Sequence, residues 1–276
     1  MPQPSFILRW LTRMDGLLIF TPERWPHRER IARGTALLII SAFVLVRIVN
    51  FDRFPQSFDD ARLFYSAIMT SAHIPVYGSV EIYLLWGAKL LVWAIETAIY
   101  LGYIASYASR TKAVSVARGA LEVAFPIMVA GIPVLISLQP YSLPRWLPFN
   151  SAYHLTFYLT IMGLIALGGA VNLIGLLTMR QAFTIMSEAR TLVTSGIFRH
   201  VRHPLYTGHF IMFFGSMLLR LQWTSIMLYG LFVLGQIYRA RIEERKLAHA
   251  FEGYARYKNR TGMFIPQLTR NKKISG

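Results

Sequence analysis

Apolar residues are gathered into long runs that polar and basic segments separate. A helix needs about 20 mainly apolar residues to cross the hydrocarbon core of a membrane. The runs that meet or approach that length extend from about Gly34 to Phe51, Val80 to Ser109, Gly119 to Leu138, Tyr153 to Met179, Pro204 to Leu219 and Trp223 to Tyr238. The pattern therefore predicts an all-α fold, a polytopic transmembrane bundle of about six spans.

The last two runs predict an antiparallel helical hairpin, because only Arg220, Leu221 and Gln222 separate them. The third run contains Pro126 and Pro133, which predict a kink in that helix. Within a bilayer, neighbouring helices can satisfy the backbone groups that a proline frees.

Basic residues occur in alternate connecting segments. The segments before the first run and after the second and fourth runs are rich in Lys and Arg. These residues are Arg9, Arg13, Arg24, Arg28, Arg30 and Arg33, then Arg110, Lys112 and Arg118, and then Arg180, Arg190, Arg199 and Arg202. The other connections hold only Arg53 and Arg62, then Arg145, then Arg220. Cytoplasmic loops carry the excess of Lys and Arg, so we expect both termini in the cytoplasm.

Composition supports a membrane protein over a nucleic-acid-binding one. Only 15% of residues are charged, against about 25% in a typical soluble domain. The net charge of +16 lies mainly in loops and flanks, where it sets topology and meets anionic lipid, so we expect membrane lipids as partners and no nucleic acid. The chain has no cysteine, which excludes disulfides, a thiol nucleophile and thiolate metal ligands.

The ends of the chain are polar or interrupted. Arginines divide the apolar stretch from Phe6 to Phe20, which suits an amphipathic segment in the membrane interface better than a signal peptide. A short disordered leader is the alternative. The basic tail, 267–276, is expected to be mobile.

The segment from Thr191 to Gly208 concentrates candidate chemistry. Gly196 permits a tight turn, and Pro204 suits the first turn of the fifth predicted span. The basic side chains before that helix are Arg199, His200, Arg202 and His203. A helix start of this kind favours anions, although a basic stop signal at the headgroups would have the same composition.

A second candidate lies after the last run. Glu243 and Glu244 are adjacent acids in a basic surrounding, and they are either functional or paired with Arg239, Arg241 or Lys246. Downstream, apolar and aromatic residues recur at helical spacing: Leu247, Phe251, Tyr254 and Tyr257. We expect a tail helix from about Arg239 to Lys258 that closes over the site.

Read together, these residues resemble a known family. Arg202-His203-Pro204-x-Tyr206-x-Gly208, the short hairpin, Glu243-Glu244 and the aromatic residues after them resemble the isoprenylcysteine carboxyl methyltransferase and phospholipid methyltransferase superfamily of integral membrane enzymes. The resemblance extends over about Asn172 to Pro266 and includes Leu192-Val193-Thr194-x-Gly196. The sequence Phe251-Glu252-Gly253-Tyr254 departs by one residue from the family's Phe-Gly-x-x-Tyr.

The resemblance implies S-adenosyl-L-methionine as cofactor and no metal. It implies that cofactor-binding residues are Val193, Gly196, His203, Tyr206, Gly208, Glu243 and Glu244. Arg202 is the candidate catalytic residue, which orients an anionic acceptor. His73, His154 and His209 lack the spacing of metal ligands.

The same resemblance divides the chain into four regions. We expect an N-terminal interfacial or cytoplasmic segment at 1–33, most of the first four spans at 34–171, a methyltransferase-like region at 172–266 and the basic tail at 267–276. Within the second span, Lys89 and Glu96 share one helix face and are candidate substrate residues. A structural polar contact with Asn172 or water is the alternative.

The expected function is methyl transfer from S-adenosylmethionine to a lipophilic acceptor at the cytoplasmic membrane face. The acceptor is a prenylated thiol or carboxylate, a phospholipid amine or a small hydrophobic thiol. Two alternatives stay open: an NADPH-dependent membrane reductase of the sterol reductase type, which has a similar Arg-His-Pro-x-Tyr motif, and a non-catalytic membrane partner with the same fold.

Overall fold

The computed structural model describes residues 79–109, 119–140, 142, 151–179, 182–183 and 191–267, together with helical positions 34, 36–38, 40–42, 44 and 45. The named helices are α1 (Ser79–Ser109), α2 (Gly119–Ser137), α3 (Ser151–Met179), a 3-10 helix (Gly196–Arg199), α4 (Pro204–Leu218), α5 (Trp223–Ala250) and α6 (Tyr254–Arg260). Within this described part there is no strand, only two isolated bridges, Ser142 with Arg220 and Val201 with Gly262. The all-α prediction is confirmed there.

Helices α1 to α4 begin and end within two residues of the predicted runs. Pro126 and Pro133 both lie inside α2, which continues through them. The segment 1–33, half of the first run and nearly all of the tail 267–276 lie outside the described residues.

Helix α5 extends beyond the last apolar run. It continues through Tyr238 to Ala250, so the predicted tail helix, Arg239 to Lys258, is continuous with the last run and is interrupted after Ala250. The residues after Tyr238 are mainly Arg, Glu, Lys, Leu and Ala, which favour helix and give it no reason to end at the membrane surface. The break falls at Phe251, whose backbone is extended at φ −136° and ψ 113°, and α6 starts at Tyr254.

Helices α4 and α5 form the expected antiparallel hairpin. Aromatic contacts pair Phe214 with Tyr229 at 5.7 Å between ring centroids, and Phe210 with Phe232 at 6.3 Å. These two pairs show that the helices run in opposite directions. At the hairpin turn, Arg220 donates from Nε to the Gln139 carbonyl at 3.0 Å, which ties the turn to the end of α2.

Small residues bring α3 and α4 into direct backbone contact. A Cβ atom added to Gly208 would lie 2.6 Å from the Gly168 carbonyl oxygen, and one added to Gly168 would lie 2.4 Å from the Met212 backbone nitrogen. Such close approach between helices is typical of membrane proteins. Helix α1 packs on the other side of α3, whereas α2 packs on α5.

The outer faces of the helices are apolar. Helices α1 and α3 contain segments, Val80–Ser109 and Tyr153–Met179, that are long and apolar enough to cross a membrane. Large side chains on the surface include Leu91, Leu101, Leu135, Leu167 and Leu234, each about half exposed or more. A soluble monomer rarely exposes so much apolar surface, so the helices indicate a membrane protein.

Candidate functional site

The segment before α4 is held in place by the chain that follows α6. Gly196 has φ +57°, a left-handed conformation that glycine adopts without strain, and it starts the 3-10 helix. The backbone N–H groups of Arg202 and His203 then donate to the carbonyls of Gly262 (2.8 Å) and Met263 (3.0 Å). These hydrogen bonds between segments that are distant in sequence fix the backbone of Arg202 and His203.

Glu244 lies at the centre of a cluster of basic side chains. Its carboxylate is 2.7 Å from Arg202 Nε, 3.2 Å from Lys258 Nζ and 3.4 Å from His203 Nε2. Burial raises the pKa of Glu244, but hydrogen bonds from His203 and Arg202 and the Arg202 charge outweigh it and lower the pKa to about 2. Glu244 is therefore ionised at neutral pH.

Glu243 has a different set of partners on the same turn of α5. The Tyr206 hydroxyl donates to Glu243 at 2.5 Å, and Arg239 Nη2 lies 3.4 Å away, one helical turn earlier. The His203 ring is 3.9 Å from Glu243 through Nδ1, so it stands between the two carboxylates. The pairing of the acids with Arg239, one alternative read from the sequence, is present for Glu243.

Two aromatic rings contact the His203 ring. Its ring is parallel to the Tyr206 ring, at 5.3 Å and an interplanar angle of 6°, and the Phe264 ring lies 5.8 Å away. The guanidinium of Arg239 lies over Tyr206, 5.2 Å from the ring centroid. Both His203 and Tyr206 are 8% exposed, so their ring positions are set by packing.

Arg202 connects three parts of the site. Besides Glu244, it donates from Nη1 to the carbonyl of Lys258 at 3.0 Å and to the carbonyl of Thr261. It therefore joins the start of α4 to α5 and to the segment after α6. The orientation of an acceptor by Arg202 stays a prediction.

The remaining predicted cofactor residues separate into two groups. Val193 lines a cavity together with His203, Tyr206 and Glu243. Gly196 and Gly208 instead face α3: a Cβ atom on Gly196 would lie 3.0 Å from Thr178 Cγ2, and Gly208 meets the backbone of Gly168 and Asn172. Contact of these two glycines with a cofactor stays a prediction.

Residues of the last described segment complete the site and were given no role from the sequence. Tyr257 donates its hydroxyl to the Phe198 carbonyl at 2.7 Å, and Tyr254 is 1% exposed beneath it. Burial, opposed by the Arg202 charge, raises the pKa of Tyr257 to about 12. The helical spacing of these tyrosines indicated a packed face, but Lys258 and Phe264 carried no signal.

A cavity of about 510 Å³ extends from this site between α1, α2, α4 and α5. That volume is within the range of small-molecule sites, about 300 to 1,000 Å³. Its inner walls are mainly apolar, with Ile99, Val134, Phe213 and Phe232 among the lining residues. Glu96 also lines it, and Lys89 lies two turns earlier on α1. Their role towards a substrate stays a prediction.

Comparison with known proteins was consistent with these motifs. Residues 156–253 match the family model described as phospholipid methyltransferase. The chain is also similar to the protein-S-isoprenylcysteine O-methyltransferase of Saccharomyces cerevisiae, at 32% identity over 117 residues that cover 39% of this chain and 48% of the relative. The enzyme of the same name from Schizosaccharomyces pombe is 32% identical over 115 residues, with the same coverage.

The matched region contains the candidate site. His203, Tyr206, Glu243 and Glu244 all lie between 156 and 253, so the resemblance read from these residues is confirmed for this part of the chain. The chain spans about half the length of the curated relatives it matches. The predicted boundary between 171 and 172 falls inside α3, and the division into regions stays a prediction.

Proposed function

We propose that the protein is an S-adenosylmethionine-dependent methyltransferase that acts on a lipophilic acceptor at the cytoplasmic face of a membrane. The observation that carries the proposal is the continuity of one cavity, which joins a charged mouth around Glu243 to an apolar interior between long helices. A water-soluble cofactor and an apolar acceptor need such an arrangement if they are to meet. The family model and both relatives are named for methyl transfer, which favours this function over the reductase.

The residues at the mouth fit the proposed cofactor. Glu243 and Glu244 have side-chain exposures of 18% and 7%, and each can accept hydrogen bonds from ribose hydroxyls or from an ammonium group. His203 is 8% exposed, and its Nε2 atom lies 3.4 Å from the Glu244 carboxylate. It is our candidate to bind the methionine carboxylate. Val193 offers an apolar contact to the nucleoside.

The residues of the protein would contribute by positioning the methyl donor and the acceptor. When bound, the cofactor supplies an activated methyl group on a sulfonium, and its displacement needs alignment of the reacting atoms rather than proton transfer by the enzyme. The stacked rings of His203 and Tyr206 and the ion pair between Arg202 and Glu244 provide a rigid mouth. The apolar walls below it exclude water and hold the acceptor's chain.

The membrane arrangement is part of the proposal. We propose six spans with both termini in the cytoplasm, which brings the mouth to the cytoplasmic side and lets the acceptor arrive from the bilayer. The acceptor classes are a prenylated thiol or carboxylate, a phospholipid amine and a small hydrophobic thiol. The regions 1–33, 34–171, 172–266 and 267–276 are proposed as the parts of this arrangement.

The test is transfer of labelled methyl from S-adenosylmethionine to extracted membrane lipids, compared with water-soluble thiols and amines. We expect label in apolar products, with a rate that depends on chain length. Label confined to soluble products would contradict access from the bilayer. The absence of both transfer and donor binding by folded protein would reject the methyltransferase proposal.

A further inference from the structure

Two polar side chains in the cavity belong to neither carboxylate cluster. Gln236 on α5 is 2% exposed, and its Oε1 atom makes no hydrogen bond within the part of the chain that the structure describes. The Nδ1 atom of His209 on α4 is likewise buried without a described hydrogen-bond partner, while its Nε2 lies 3.4 Å from the Tyr103 hydroxyl. Both side chains line the cavity.

The two side chains lie at the same depth. His209 is six residues along α4 from His203, and Gln236 is seven residues before Glu243 on α5. At 1.5 Å per residue, both are about 10 Å below the mouth of the site. Deeper in the cavity, Phe213 and Phe232 contact each other at 5.2 Å. The cavity thus has polar side chains at its mouth and again about 10 Å inside.

An unsatisfied polar atom in a cavity of this kind is costly, because few groups are available to pair with it. A carboxamide offers both donor and acceptor atoms, and an imidazole can present either at Nδ1 according to its tautomer. An ester, amide or hydroxyl group of a bound molecule could therefore satisfy both residues at once. A plain hydrocarbon chain would leave them unpaired.

We infer that His209 and Gln236 form a specificity-determining level, which selects an acceptor with a hydrogen-bonding linkage about 10 Å below the mouth of the site. The inference rests on the proposed function and narrows its acceptor. A glycerophospholipid with a headgroup amine has its ester linkages one headgroup length below the amine. An S-prenyl cysteine is hydrocarbon beyond its thioether and offers nothing at this level.

The experiment compares two probes on the full chain purified in detergent. Dimyristoyl phosphatidylethanolamine carries esters at the required depth, and N-acetyl-S-farnesylcysteine does not. Dissociation constants are measured for the wild type and for Gln236→Met, which keeps the length of the side chain and removes its polar atoms. We expect Gln236→Met to weaken phosphatidylethanolamine binding about three- to tenfold, the typical effect of one hydrogen bond, and to leave farnesylcysteine binding unchanged.

A matched control separates this effect from the loss of any buried polar atom. Ser225 on α5 is fully buried, its Oγ makes no hydrogen bond within the described residues, and it is not among the residues that line the cavity. Ser225→Ala should leave both dissociation constants unchanged. His209→Leu should reproduce the selective loss that Gln236→Met causes.

The outcomes distinguish this inference from the proposed function. Equal weakening of both probes, or of neither, in the Gln236→Met variant overturns the inference. S-adenosylmethionine binding is measured separately by calorimetry. If the donor binds and the probes are not distinguished, only the inference fails. If the wild type distinguishes the probes through Gln236 but does not bind the donor, the proposed function fails and the selective lipid site remains.

Discussion

At the scale of single residues, the two adjacent acids have separate tasks in the geometry. Glu244 is held by Arg202, Lys258 and His203, whereas Glu243 accepts from the Tyr206 hydroxyl and contacts Arg239. His203 lies close to both carboxylates. Because Glu244 forms ion pairs with Arg202 and Lys258, its negative charge contributes to holding the site together.

The first prediction concerns donor affinity. Glu244→Gln or His203→Ala should weaken S-adenosylmethionine binding by about tenfold to several thousandfold, because removal of one partner of a buried charged pair typically costs about 2–5 kcal/mol. Calorimetry on folded protein measures the effect, and a thermal melt verifies folding. Unchanged affinity in both variants would remove these residues from the cofactor site.

The second prediction concerns acid stability. The pKa of Glu244 is about 2 in the folded protein, below its ordinary value of 4.5. A depressed pKa contributes stability above the ordinary value, and this contribution is lost as the pH falls from about 4.5 towards 2. Glu244→Gln should therefore flatten the decline in melting temperature over this interval. A decline as steep as that of the wild type would show that Glu244 is not the group responsible.

At the scale of helices, the contact between α3 and α4 holds the site in register. Gly168 and Gly208 let the two backbones touch, and α4 starts with Pro204, directly after His203. A shift of α4 along α3 would move His203 and Tyr206 away from the carboxylates on α5. The glycines therefore act on the site through packing.

The third prediction tests this contact with glycine-to-alanine variants. Gly168→Ala and Gly208→Ala should lower the melting temperature, because the added Cβ would lie less than 3 Å from backbone atoms. Gly163→Ala on α3 and Gly230→Ala on α5 are matched controls, since nothing lies within 4 Å of their added Cβ atoms. They should be neutral or slightly stabilising, as alanine favours helix. Equal effects at all four positions would contradict direct backbone packing.

At the scale of the whole molecule, one cavity connects the charged mouth to the space between α1, α2, α4 and α5. The lining residues include Glu96 from α1 and Val134 from α2. These two helices lie outside residues 156–253, which match the family model, yet they supply part of the cavity wall.

The fourth prediction is the topology. Reporter fusions within the loop Gln139–Asn150 should report an external position, and fusions after Arg270 a cytoplasmic one, because of the asymmetry of arginine between loops. The readout is a pair of reporters that are active on opposite sides of the membrane. A cytoplasmic signal from the loop Gln139–Asn150 would reverse the proposed orientation.

The sequence by itself determined the features that depend on neighbouring residues. Helical runs, the hairpin of α4 and α5, and the adjacency of Glu243 and Glu244 follow from local apolar periodicity and short spacing. His203 and Tyr206 are likewise so close in sequence that their proximity in the fold could be predicted. Only the tertiary structure decided that Arg202 binds Glu244 and the carbonyl of Thr261, 42 and 59 residues away. It also decided that His209 and Gln236 share one level of the cavity. The physical reason is that such contacts depend on how helices cross, and helix crossing is set by close packing between distant segments rather than by the pattern within each one.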